Sequence, residues 1–449
     1  MAIIYIKLLL AAIISLVLTI KSIRVLPNIY SIRFVSGYYT FQICIYLLFI
    51  ILLPDAKVLG CSYNLKIIDG VDAFLMAWII FQFGIFIAAY VSSLFMVKLK
   101  NQPSLINLIQ SSSPRIEGPL YFFALIFFLY PFLAFASDGF FSYIIRVIFN
   151  NFQFVPFVAG VYFMRNRSLR NVWLISLLSL LILGTFSGSR GIAVFPILFY
   201  CFGILYSNIS YRLKKIFVIN VLIFLIPTIS FFSFIGQVRH IIGRIPLNEV
   251  SFERMVKMYE IYTLYALREK RESDKAEDLN QGPGRLLNHP NAAVPMVIPK
   301  RKPFRYYDGI VDVDLKYTLN IEFLTGIGKK EYYSKGYSTG ILNKYGYYVR
   351  PGVSWEFSIM SEGWSRFGKI GVFVYSLTWG LFLIVFEFAI IFFNIRNPIF
   401  RIFFTILICW VALQSYAEPL FFNCRSLILN FILAWVLLMI FKIKLLRYE

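Results

Sequence analysis

Apolar runs long enough to cross a hydrocarbon layer recur along nearly the whole chain, and they constrain its fold more than any motif does. "AIIYIKLLLAAIISLVLTI" (residues 2–20) is the first, and Leu- and Phe-rich stretches of similar length follow it. An α-helix needs roughly 17 to 25 predominantly apolar residues to span a bilayer. A soluble domain would show amphipathic stripes, whereas here 59% of the 449 residues are hydrophobic and only 15% are charged. Open sheet edges cannot satisfy their backbone in lipid, so spans of this kind are helices. The expected fold class is all-α, a polytopic helical membrane protein.

About eleven spans result, at residues 3–20, 38–54, 73–97, 119–136, 152–164, 172–187, 191–207, 215–235, 368–394, 399–416 and 425–443. The fifth is short. The first lacks a basic start and a small-residue cleavage site, and reads as a retained helix. Residues 1–235 then hold helices 1–8, residues 236–367 form one large loop, and residues 368–449 hold helices 9–11.

Basic clusters fall in alternate connections, among them "KSIRVLPNIYSIR" (21–33), "RNRSLR" (165–170), "NIRNPIFR" (394–401) and the tail "KIKLLRYE" (442–449). Lys and Arg collect on cytoplasmic loops, so these connections mark the inner side. That accounts for the net charge of +21 without nucleic acid. Five scattered cysteines show no CxxC spacing, which argues against a metal cluster or a disulfide framework.

The remaining connections face outward, including the tip "SGSR" (187–190) and the loop 236–367. A connection of about 130 residues is too long to be passive. Within it Val250, Met255, Val256, Tyr259, Tyr262 and Leu267 recur near helical spacing, as in an amphipathic helix on a membrane or on the bundle. "VSWEFSIMSEGWSRFG" (353–368) reads as a helix re-entering the bundle.

Candidate chemistry sits on that outward face: Arg190, Arg239, His240, Arg244, Arg350, Glu356, Glu362, Arg366, Glu418 and Arg425. A guanidinium keeps its charge and binds phosphate oxygens through a planar fork, so these arginines suit an anionic lipid headgroup such as a polyprenyl pyrophosphate. A single arginine at a span end is more often a snorkelling anchor or a carboxylate's partner. Around Arg190, Gly188 and Gly191 make room for a ligand, and a helix N-terminus offers N–H groups to an anion. Glu356 and Glu362 are the favoured general bases, with Glu418 behind them; the competing expectation is ion pairing with Arg350 or Arg366. His240 could carry a proton or be merely solvated. Tyr337, Tyr345 and Tyr348, in a tyrosine-rich segment, could stack on sugar rings or simply populate the interface. Asp312 and Asp314 have the Asp-x-Asp form that can hold a divalent metal, a spacing common by chance. Glu387 lies near the cytoplasmic end of its span, where snorkelling or pairing with Arg396 is the simpler expectation. There is no P-loop, GxGxxG, HExxH or GxSxG.

Two segments carry a family resemblance. "LLILGTFSGSRGIAVFPILFY" (180–200) and "GVSWEFSIMSEGWSRFGKIGVFVYSLTWGLF" (352–382), together with the order of spans, large outward loop and closing spans, resemble the Wzy-type polysaccharide polymerases of bacteria. The resemblance implies a GT-C-like fold in the inner membrane and a large periplasmic loop with the active site on the periplasmic side. It implies metal-independent, inverting glycosyl transfer between undecaprenyl-pyrophosphate-linked repeat units, with no cofactor. It carries phosphate binding onto Arg190 and an active-site role onto Glu362; Arg239, Arg244, Arg366 and Arg425 would join the pyrophosphate site. Expected partners are the lipid-linked glycans, membrane lipids, and the chain-length regulator and flippase of the same pathway. The rival readings are an O-antigen ligase, expected to use a histidine where this chain has Glu356 and Glu362, and a flippase or other transporter.

Overall fold

The computed structural model describes residues 2–27, 29–52, 68–95, 116–136, 144–145, 148–150, 152–163, 166–186, 190–207, 257, 260, 358–392, 398–414 and 420–440. Every regular element among them is an α-helix: α1 Ala2–Val25, α2 Tyr30–Leu52, α3 Ile68–Phe95, α4 Glu117–Ala136, α5 Val155–Val161, α6 Arg167–Phe186, α7 Arg190–Tyr206, α8 Ile359–Phe392, α9 Pro398–Gln414 and α10 Leu420–Ile440. Among the described residues three stretches are long and apolar enough to cross a membrane: Ile6–Val25, Asp72–Phe95 and Arg366–Ile390. The expected span 215–235 lies outside the described residues. In the large loop Lys257 and Glu260 are helical and exposed.

The chain packs into two units. The first draws on Met1–Gln102, Pro283–Asn394 and Phe404–Leu433. Here α1 turns the usual amphipathic pattern inside out. Ile6, Leu10, Ile13, Val17 and Ile20 are exposed, while Ser15, Thr19 and Ser22 are buried. An apolar outer face of this extent suits hydrocarbon and would be costly in water. The buried polar groups bond across helices: the Thr19 hydroxyl lies 2.7 Å from Ser36 Oγ and 2.8 Å from Thr40 Oγ1, and Gln82 Nε2 donates to the Ser36 carbonyl at 3.0 Å. Such contacts join helices where lipid supplies no hydrophobic drive for association.

Helices α3 and α8 run in the same direction, since Gly84 faces Ser376 and Ala88 faces Gly380 one turn further on. A methyl group on Gly380 would lie 2.7 Å from the Ala88 methyl, so small residues set the closeness of the seam. Lys7 near the start of α1 pairs with Asp72 near the start of α3 at 2.8 Å. The starts of α1, α3 and α8 therefore gather at one end of this unit.

Helix α8 is not one straight rod. Phe367 (φ −139°, ψ 16°) and Gly368 (φ 62°, ψ −140°) interrupt it, and the break falls where the sequence places the boundary between loop and ninth span. The Gly368 conformation is open essentially to glycine alone. In a straight helix residues eight apart are separated by about 12 Å along the axis. Here a Cβ on Gly363 would come within 2.7 Å of the Gly371 carbonyl oxygen, so residues 359–366 fold back over the beginning of the long segment. The ninth span is thus preceded by a short helix that belongs to the same packed unit and lies within the stretch 353–368 that reads as a re-entering helix.

The second unit draws on Pro103–Gly282, Ile395–Phe403 and Ala434–Glu449. Ser176 Oγ donates to the Ala124 carbonyl (2.8 Å) and Ser179 Oγ to that of Phe128 (3.5 Å), so α4 and α6 are parallel. The returning segment does not form the expected helix over 152–164. Phe149 stacks on Tyr130 at 3.7 Å and Phe152 meets Phe123 at 5.1 Å, so the chain descends along α4. It then turns through residues 152–154 before the seven-residue α5. Pro156, in the first turn of α5, explains the break: it has no N–H to donate, and its ring excludes a helical turn before it. Gly160 and Gly203 let α5 and α7 touch, with a Cβ on Gly160 only 3.0 Å from the Gly203 Cα.

Replacing Gly371 by Leu should force the hairpin apart and lower stability by about 1–3 kcal/mol. Thermal unfolding of the detergent-solubilised protein should register this as a fall of several degrees, whereas Gly37→Ala, with nothing within 4 Å of the added carbon, should leave the transition in place.

Candidate functional site

The short helix at the start of α8 is built by local chemistry. Ser358 stands just before it, and its hydroxyl accepts the Ser361 N–H at 3.2 Å, satisfying one of the free donors of a helix start. Glu362 and Arg366 are four residues apart and so share a face. Their side chains form an ion pair, Arg366 Nη2 to Glu362 Oε1, at 2.9 Å with side-chain exposures of 8% and 1%. At that burial the pair sits in a low dielectric, and each charge depends on the other.

The second carboxylate oxygen of Glu362 reaches another helix. The Leu420 N–H donates to Oε2 at 2.7 Å, and Leu420 is the first residue of α10. A helix start carries unpaired N–H groups and a partial positive charge, both of which a carboxylate satisfies. One buried glutamate thus binds a guanidinium and a helix N-terminus, the two kinds of donor that also bind phosphate. Asn423, fully buried, and the half-buried Cys424 and Arg425 follow on the first turns of α10. Of the two ion-pair partners open to Glu362 in the sequence, Arg366 is one it takes, and Arg350 lies outside the described residues.

Glu387, at the other end of α8, repeats the arrangement. Its carboxylate accepts the Tyr30 N–H (2.7 Å), the Ser31 N–H (2.9 Å) and the Ser31 hydroxyl (2.7 Å) at the start of α2. At 1% exposure Glu387 does not snorkel, as its place near a span end had suggested. The reason is that the start of α2 offers it three donors inside the bundle.

Arg190 is the first residue of α7, in the second unit. Ser187 to Ser189, Arg239, His240, Arg244, Arg350, Glu356, Glu418, Tyr337, Tyr345, Tyr348, Asp312, Asp314 and Arg396 lie outside the described residues. Among the predicted site residues, then, the structure brings Glu362 and Arg366 together and sets Arg425 on the helix that Glu362 caps. The Leu420 N–H and the Gly363–Gly371 contact escaped the sequence reading. Gly363 leaves one trace, as the first of three glycines in "EGWSRFGKIG". No protein-family model matches the chain, and neither does any curated protein or solved structure.

Glu362→Ala should strand Arg366 as a buried charge and cost about 3–5 kcal/mol. Adding Arg366→Met should recover more than half of that loss, as read from the midpoint of denaturant unfolding in micelles.

Proposed function

We propose that the protein is a multi-pass glycosyltransferase of the bacterial inner membrane, with about eleven spans and a GT-C-like fold. It would join lipid-pyrophosphate-linked oligosaccharide repeat units on the periplasmic side. The observation that carries the reading is the buried Arg366, fixed by Glu362 beside the N-terminus of α10. It lies in the unit whose helix starts gather at one end, the end that the charge bias of the connections makes outward. Cationic groups held inside a largely apolar protein at that surface suit the pyrophosphate of a lipid carrier.

In the reaction an acceptor sugar hydroxyl attacks the anomeric carbon of the donor. The new C–O bond forms as the bond to the pyrophosphate oxygen breaks, the hydroxyl proton passes to a carboxylate, Glu356 or Glu362, and polyprenyl pyrophosphate departs. Inversion follows from in-line attack. Arg366 and Arg425 would stabilise the charge growing on the leaving group, work that preorganised donors do well in a site from which water is excluded, and Arg190, Arg239 and Arg244 stay candidates for binding pyrophosphate. His240, Arg350 and Glu418 remain candidates for contacts with substrate, and Tyr337, Tyr345 and Tyr348 for stacking on sugars.

A transporter reading draws on one observation, the break at residues 152–154, because discontinuous helices often line transport sites.

Purified protein in nanodiscs, given a lipid-pyrophosphate-linked repeat unit, should produce a ladder of longer glycans with and without EDTA. No ladder under either condition would sink the transferase. A ladder lost only with EDTA would shift attention to Asp312 and Asp314. Arg190→Lys, which keeps the charge and loses the fork, should cut polymerisation about tenfold or more while membrane insertion is unchanged.

A further inference from the structure

The transferase reading leaves two carboxylates for one proton transfer. We infer that Glu362 is the positioning residue of the pair: it holds Arg366 and the start of α10 for the pyrophosphate and does not take the acceptor proton. The inference rests on the transferase reading above.

The geometry gives Glu362 two tasks that conflict with a third. Oε1 engages Arg366 and Oε2 engages the Leu420 N–H, so each carboxylate oxygen is committed to a charged or helix-terminal donor. A general base must come within hydrogen-bond reach of the hydroxyl it deprotonates. At 1% exposure an acceptor sugar would have to displace a donor to reach this carboxylate. Displacing Arg366 would strand a buried charge, and displacing Leu420 would free a helix-terminal N–H in an apolar setting.

The backbone adds to this. The Gly363–Gly371 contact brackets the short helix against the long segment of α8, and Gly368 sets the bend between them. Glu362 has little freedom to swing toward a substrate. What the arrangement does well is fix a guanidinium: the carboxylate lies one turn before Arg366 on the same face and is itself anchored 58 residues away on α10. An arginine held so rigidly is preorganised for the oxygens of a departing pyrophosphate.

A second consequence does not involve the reaction. Cys424, half-buried on α10, lies within electrostatic reach of Glu362. If Glu362 fastens the first turn of α10, weakening it should loosen that turn and open the thiol.

The test uses full-length protein in nanodiscs with Cys44, Cys61, Cys201 and Cys409 replaced by alanine. Glu362→Gln should speed maleimide labelling of Cys424 several-fold, while Glu387→Gln, at the other end of α8, should leave the rate unchanged. With the lipid-linked repeat unit as substrate, Glu362→Gln should raise KM about tenfold, keep kcat within about threefold, and retain the acid limb of the pH–kcat profile. A fall in kcat of about a hundredfold or more, with loss of that limb, would make Glu362 the base and overturn the inference. Labelling of Cys424 at the wild-type rate in Glu362→Gln would overturn the clamp. A wild type that makes no polymer, while Glu362→Gln still labels faster, would remove the transferase reading and leave the clamp standing. Should the Gln variant not be recovered folded, Glu362→Asp, which shortens the reach to both partners, is read by the same criteria.

Discussion

A helix that begins inside an apolar bundle has N–H groups with nowhere to go, and in this protein α8 supplies the answer twice. Glu362 takes the first N–H of α10, and Glu387 takes the first two of α2. Water could satisfy such donors at a protein surface; hydrocarbon cannot. The two glutamates therefore do more than occupy span ends. They tie the N-termini of two other helices to one central element, and much of the first unit follows from those ties.

The remaining features of α8 support that role. Its seam with α3 is set by Gly84, Ser376, Ala88 and Gly380, and it leaves little room for larger side chains. The bend at Phe367 and Gly368 turns the short helix back and brings Glu362 toward α10. Glu387 lies beyond the bend, and its partners are the backbone and side chain of a helix that starts at the opposite end of the unit. At the bent end a buried arginine pairs with the carboxylate at 2.9 Å, and that pair makes this end the candidate site. Glu387 has Arg33 within electrostatic reach, whereas Arg366 is paired directly with its glutamate inside the unit.

Helices were legible because their signal is local. The apolar runs named most of them within a few residues, and the boundary drawn at 367/368 falls on the bend itself, since Gly368 is both a break in the pattern and a conformational necessity. The four-residue spacing of Glu362 and Arg366 is local too. The fifth span failed for a local reason given too little weight: Pro156 limits how far a helix can extend back from it. What could not be read were partners distant in the chain. Leu420 lies 58 residues from Glu362, and Ser31 lies 356 residues from Glu387. A backbone N–H has no side-chain signature, so no spacing could have announced either cap. The cluster of Thr19, Ser36, Thr40 and Gln82 was hidden for a related reason: three helices contribute four modest polar residues, unremarked until the helices are packed together.

The first unit depends on a side-chain carboxylate of α8 that caps the start of another helix. Hydrogen–deuterium exchange of the first turn of α10 tests it most directly, by comparing wild type with Glu362→Ala in nanodiscs. Slow exchange at residues 420–424 that becomes fast in the variant, with residues 30–33 unaffected, is what the account predicts. Equal exchange at residues 420–424 in the two proteins would contradict it.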